Sequence, residues 1–156
     1  MQRANFSAGV TPLQAAVATD AVTTAYHAVK RRADVKATDL VLLFGLGGLG
    51  FNALQIIRAI GARVIVSEIR QELLEAAEKL GIPKSDIIPL GKSPVEFLEG
   101  ADIYEKIDTV IDFVGTHQTF EDSQLIGESY SSSQLQNWSL TENSSQRRED
   151  SQRGDL

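Results

Sequence analysis

The sequence contains no cysteine, which removes disulfide scaffolds, thiolate zinc sites and cysteine nucleophiles together. It has only two histidines, His27 and His117, and each reads as a helix-surface or loop residue rather than a ligand. Basic charge is scarce as well. Fifteen Lys and Arg stand against 21 Asp and Glu, a net charge of -6, so a nucleic-acid or membrane-surface partner drawn by positive charge is not expected. No apolar run approaches the ~18 residues that a membrane span needs. The opening stretch, MQRANFSAGVTPLQ, lacks the apolar core of a signal peptide. A soluble cytoplasmic protein is the expectation. On that reading the glycosylation-type sequons at Asn5, Asn137 and Asn143 carry no meaning, and neither does the adhesion-type tripeptide Arg153-Gly154-Asp155.

What is present falls into two unlike parts. Through about Gln124, apolar runs alternate with turn signals. From Leu125 onward the chain is rich in Ser, Gln, Glu and Arg, and Leu135, Trp138 and Leu140 show no sustained period. Such a stretch buries too little to offset the entropy of ordering it. We expect one domain over residues 1–124 and a disordered low-complexity tail over 125–156, with at most a transient turn at Trp138.

Within the first part, Thr11-Pro12-Leu13-Gln14 has a capping Thr, Pro at the first helical position and Gln where a capping box places it. The helix it opens runs to about Arg32, with an irregularity near Asp20. Leu40–Phe44 is an unbroken apolar run, the mark of a strand buried on both faces. Leu49, Ala53, Ile56, Ile57 and Ile60 then share one helical face, and Gly61 ends the helix. A second strand covers 62–68. Leu73, Leu74, Ala77 and Leu80 form another amphipathic face, closed by Gly81. A short third strand is expected at 86–90, a short helix capped from Ser93, and a fourth strand at 107–115. Alternation of strand and helix is the grammar of an α/β fold with a parallel, Rossmann-type sheet of about four strands and right-handed crossovers.

Four glycines within six residues, Gly45, Gly47, Gly48 and Gly50, separate the first strand from its helix. Each costs roughly 0.5–1 kcal/mol relative to alanine inside a regular element, so they answer some other need. Gly45-x-Gly47-x-x-Gly50 after a buried strand, opening a helix, matches the dinucleotide-binding fingerprint. The first glycine permits a tight turn, the second lets a pyrophosphate reach the backbone, and the third lets helix and strand approach. Free N–H groups at the helix start would hold the phosphates. Glu68 follows Gly50 by 18 positions, near the ~20 expected of the acid that accepts from the ribose hydroxyls. A carboxylate there repels a 2′-phosphate and favours NAD over NADP. Arg70 pulls the other way, since an arginine could meet that phosphate.

Taken together, residues 9–68 and the later stretch IDTVIDFVGTHQTFEDSQ resemble the cofactor-binding part of the zinc-dependent medium-chain alcohol dehydrogenases. The resemblance covers about the first four-fifths of the chain. It implies an NAD-dependent oxidoreductase. It also implies a cofactor site made of Gly45, Gly47, Gly48, Leu49, Gly50, Glu68 and Arg70, with Thr24, Val114 and Gly115 beside the nicotinamide end. The chain departs from the family in two respects. The separate N-terminal domain that holds most of the catalytic zinc ligands is missing, and Asp20 stands where the family commonly has a cysteine ligand. No catalytic residue and no metal ligand is therefore assigned, and zinc is not expected to bind here. After Gln124 the family's further strands are also missing, which would leave the fourth strand as an edge showing Val110, Ile111 and Phe113. Three readings follow: a dehydrogenase part inactive alone, a non-catalytic nucleotide-binding module that associates with a full-length relative, or a truncated or mis-spliced product.

Overall fold

The computed structural model describes Gly9, residues 11–129 and Trp138–Ser139. The expected features at Asn5, Asn137, Asn143 and Arg153–Asp155, and the remainder of the expected tail, lie outside these residues. The first helical stretch forms α1 (Pro12–Val17) and α2 (Thr23–Tyr26), joined by a π-helical turn over Ala18–Val22 and followed by another over His27–Arg32. The capping box is made: Gln14 N donates to Thr11 Oγ1, and Thr11 N donates to Gln14 Oε1 at 2.9 Å. The irregularity near Asp20 is the first π turn. Thr19 and Thr23 donate their hydroxyls to Ala16 O and Ala18 O there, and such back-bonding commonly bends a helix.

The sheet comprises β1 (Leu40–Phe44), β2 (Arg63–Ser67), β3 (Thr109–Asp112) and β4 (Trp138–Ser139), all parallel, in the order β2-β1-β3-β4. Helices α3 (Gly48–Ile60), α4 (Gln71–Lys79), α5 (Pro94–Gly100) and α6 (His117–Ser129) complete the fold. Every residue of β1 is buried, and its side chains divide by the two-residue period of a strand. Val41 and Leu43 join Ala53, Leu54 and Ile57 of α3 in one core. Leu40, Leu42 and Phe44 join Leu98 of α5 and Ile126 of α6 in the other. The continuous apolar run thus reports a sheet covered on both faces. Among the described residues no helix is long and apolar enough to cross a membrane.

Four expectations need correction. The third strand over 86–90 shrinks to a single bridge between Val66 and Ile87. Ile88 N still donates to Val66 O at 2.9 Å, but the chain then turns away, with Lys92 N donating to Pro89 O at 3.1 Å. Ser93 stands at the start of α5 without a side-chain cap. Helix α6 runs on to Ser129, past the expected boundary at Gln124, because Ile126 is buried in the second core and Tyr104 Oη holds Leu125 O at 2.8 Å. The outer edge of β3 is not bare either. Trp138 and Ser139 form a strand rather than a turn and pair with Ile111 and Asp112. Ile111 is buried, and Val110 and Phe113 pack against the cores.

Candidate functional site

The carboxyl ends of β1, β2 and β3 meet on one edge of the sheet, and the glycine turn leaves from the middle of it. Gly45 N donates to Ser67 O at 2.8 Å, prolonging the ladder by one rung. Gly45 then adopts φ +80°, and a Cβ there would sit 2.6 Å from Val114 Cγ2. A Cβ on Gly50 would sit 1.8 Å from Gly45 O. The turn and the close helix–strand approach therefore account for these two glycines. The other two are different. A Cβ on Gly47 would meet nothing nearer than Arg70 Nη2 at 3.8 Å, and one on Gly48 would meet nothing within 4 Å. Gly47 is also the residue before α3, in extended backbone and without a side-chain cap, so the positive end of the helix dipole opens onto that space.

Glu68 closes the opposite side. It lies just beyond β2, its side chain only 3% exposed. Oε2 accepts from Leu46 N at 2.7 Å and Arg70 Nη2 at 3.0 Å. Oε1 accepts from Ile69 N, Arg70 N and Arg70 Nε at 2.9, 3.1 and 3.0 Å. Burial pushes this carboxyl up, but the Arg70 side chain and the three backbone N–H groups outweigh it and bring it from 4.5 to about 2. The same carboxylate raises the Arg70 pKa, chiefly through their side-chain hydrogen bonds. Glu68 is thus ionised, and it also ties Leu46 of the glycine turn to the end of β2.

The end of β3 is organised by an acid that sequence reasoning passed over. Asp112 is buried and accepts from Val114 N at 2.7 Å, Gly115 N at 3.0 Å and Thr119 Oγ1 at 2.8 Å. It shapes the turn that carries half-exposed Val114 and brings Gly115 to φ +69°. The one charged residue in the run TVIDFV was the available signal. A cleft of about 400 Å³ lies beside Glu68, lined among others by Phe44, Ile69, Ile88, Pro89, Lys92 and Thr119.

The structure thus brings Gly45, Gly47, Gly48, Leu49, Gly50, Glu68, Arg70, Val114 and Gly115 to one edge. Thr24 is exposed on α2, a helix that packs against α3. Asp20 and His27 are exposed on the first helical stretch. His117 is exposed at the start of α6, 3.1 Å from Glu121. Among the described residues no three His, Cys, Asp or Glu side chains group so as to hold a metal ion.

An open parallel sheet wound by helices, with a glycine-rich turn leaving its central strand, defines a Rossmann-type domain. No family model matches the chain, but individual relatives do. It is 30% identical over 114 residues to the (R,R)-butanediol dehydrogenase of Saccharomyces cerevisiae, covering 72% of this chain and 30% of that protein. It is 32% identical over 108 residues to an NAD-dependent alcohol dehydrogenase of Sulfurisphaera tokodaii, covering 69% and 31%. Among solved structures it superposes on the acetophenone reductase of Geotrichum candidum in complex with NAD, with a TM-score of 0.59 and 36% identity over 72% of this chain and 30% of that one. It also superposes on the quinone oxidoreductase of Thermus thermophilus, whose structures include an NADPH complex, with a TM-score of 0.59 and 30% identity over 76% and 38%. Its relatives over this portion include alcohol dehydrogenases, consistent with a fragment of the medium-chain family. It spans about a third of the length of these relatives.

Proposed function

We propose that this chain holds NAD along the carboxyl edge of its sheet, as the cofactor-binding portion of an alcohol dehydrogenase-like oxidoreductase. The observation that carries the reading is the free space above Gly47 and Gly48. The fold has no steric need of glycine at either position, so bare backbone there is best explained by something that must touch it. The pyrophosphate would lie across these residues, Leu49 and Gly50, against the N–H groups that open α3. The adenosine ribose would reach Glu68, and the purine would occupy the cleft walled by Ile69, Ile88 and Pro89. The nicotinamide would point toward Val114, Gly115 and Thr24.

When bound, NAD supplies a hydride acceptor at its nicotinamide ring. What this chain's residues supply is binding and orientation. Hydride transfer also needs an alcohol held and acidified, commonly by a metal, and the described residues offer no ligand set that fits zinc. The chain alone is therefore expected to bind the cofactor without turning over an alcohol. Association with a full-length relative and a cytoplasmic setting belong to the same reading. A non-catalytic nucleotide-binding module is the second reading, favoured by the same lack of ligands.

Titration calorimetry with NAD and NADP tests the proposal. Micromolar to millimolar binding of NAD, lost in Gly47→Val while the circular dichroism spectrum stays unchanged, is expected. Equal binding by the Gly47→Val protein overturns it. Alcohol-dependent NAD reduction by the purified chain, with zinc added, would overturn the statement that it is inactive alone.

A further inference from the structure

Helix α6 carries a buried acid that the cofactor reading does not use. Asp122 keeps only 7% of its surface exposed and lines the cleft beside Glu68. Its Oδ1 accepts from Gln118 Nε2 at 3.0 Å, a neutral donor one helical turn away. Among the described residues nothing donates to Oδ2, and no cation pairs with the carboxylate. Lys92, the cation that shares the cleft, lies over the Phe97 ring at 5.4 Å from its centre. No buried side-chain oxygen among the described residues lacks a partner, so Oδ2 keeps an opening, and the cleft is the surface that Asp122 lines. Burying a carboxylate without a counter-charge is costly. Asp122 also caps nothing, since α6 begins at His117. Ile126, four residues on along the same face, is buried in the second core. An apolar side chain at 122 would serve the fold better.

We propose that Asp122 selects the base of the nucleotide, accepting the exocyclic amino group of adenine on Oδ2. The proposal rests on the dinucleotide reading above, which puts the purine in this cleft. Phe44, Ile69, Ile88 and Pro89 offer apolar contact that every purine can share. Only a polar group can tell one purine from another, by being left unpaired with the wrong one. Gln118 engages one oxygen, which leaves the carboxylate a single free acceptor. Adenine presents one donor group at its 6-position and matches it. Hypoxanthine carries a carbonyl there, so two acceptors would face each other. Guanine has the same carbonyl, and its pair of N–H donors on the neighbouring edge suits a carboxylate with both oxygens free.

The test is calorimetric titration of NAD, nicotinamide hypoxanthine dinucleotide and nicotinamide guanine dinucleotide into the wild-type chain, Asp122→Asn and Gln118→Ala. The wild type should bind NAD at least about 10-fold more tightly than either analogue, the scale of one hydrogen bond to a charged group. Asp122→Asn, whose amide can turn either its oxygen or its N–H to the base, should bring NAD and the hypoxanthine analogue within about 3-fold of each other. Gln118→Ala frees Oδ1, so the guanine analogue should gain on NAD while the hypoxanthine analogue stays weak. If the wild type binds NAD and the hypoxanthine analogue equally, or Asp122→Asn keeps the full preference, this proposal falls and the dinucleotide reading stands. A wild type that favours the guanine analogue, or a guanine ratio unmoved in Gln118→Ala, also overturns the assignment to the amino group. Should Asp122→Asn fail to fold, the wild-type ratios and the Gln118→Ala shift decide alone. If the wild type binds none of the three, the dinucleotide reading falls and this proposal with it.

Discussion

The glycine turn holds two pairs of residues that look alike in the sequence and behave differently in the fold. Gly45 and Gly50 are demanded from inside, by a left-handed backbone and by a carbonyl that leaves no room for a methyl group. Gly47 and Gly48 face open space and are demanded by nothing among the described residues. A fingerprint read as one motif is therefore two devices, one that folds the protein and one that leaves its backbone accessible. Substitutions can separate them.

The largest effect is expected at Gly50. Gly50→Ala forces a methyl group against Gly45 O, which neither helix nor strand can yield easily, and should cost more than about 4 kcal/mol in urea unfolding. A cost under 1 kcal/mol would mean that α3 can slide away from β1 and would erase the distinction between the pairs. Gly47→Val should do the reverse. Cofactor binding should fall by at least about 100-fold, equivalent to roughly 3 kcal/mol, while stability drops by no more than the ~1 kcal/mol expected for exchanging glycine for valine at a helix start.

Acid tests the clip between the pairs, since Leu46 is tied to Glu68. The folded-state pKa of Glu68, about 2, lies below its ordinary 4.5. The stability it provides is therefore complete above pH 4.5 and is lost as pH falls toward 2. On the order of 2 kcal/mol should disappear over that window, after allowance for the half-exposed arginine. In Arg70→Ala the loss should be visibly smaller, and identical acid unfolding profiles would show that the backbone N–H groups alone hold the carboxylate. The smallest effect belongs to Gly48→Ala. It should stabilise the fold by about 0.5 kcal/mol, because alanine restricts the unfolded chain and fits the helix, yet weaken NAD binding several-fold. Paired melting and titration measurements would show the two signs together.

These contrasts mark how far the sequence could be read. Long apolar runs, the helix starts and the glycine spacing are periodic or local, so LVLLF, the Thr11 capping box and the end of a helix at Gly61 were legible in the sequence. The third strand was over-read because five residues with strand composition concealed the turn that begins at Pro89. The contacts of Glu68 were hidden for another reason. Its place after β2 follows from spacing, but the bond to Leu46 N depends on two strand ends coming side by side. Asp112 shows the same limit: its three donors come from a turn and a helix that the sequence places only roughly. Nothing in the Ser- and Gln-rich composition after Leu125 announced that Ile126 closes a core, because one apolar residue at the right turn of a helix leaves no period to detect.

The sheet order also bears on how the site is assembled in time. Val41 pairs with Val64, nearby in the chain, and with Thr109, far along it. Closing the shorter loop costs less entropy, so β1, α3 and β2 form the natural nucleus and β3 docks afterwards. Gly45 through Gly50, Glu68 and Arg70 all lie within or beside that early unit, whereas Val114 and Gly115 arrive with the late strand. The half of the edge suited to phosphate and ribose would then exist before the half suited to nicotinamide. Adenosine diphosphate would accelerate refolding if that order holds, and Val64→Ala would slow folding while Ile111→Val would mainly speed unfolding.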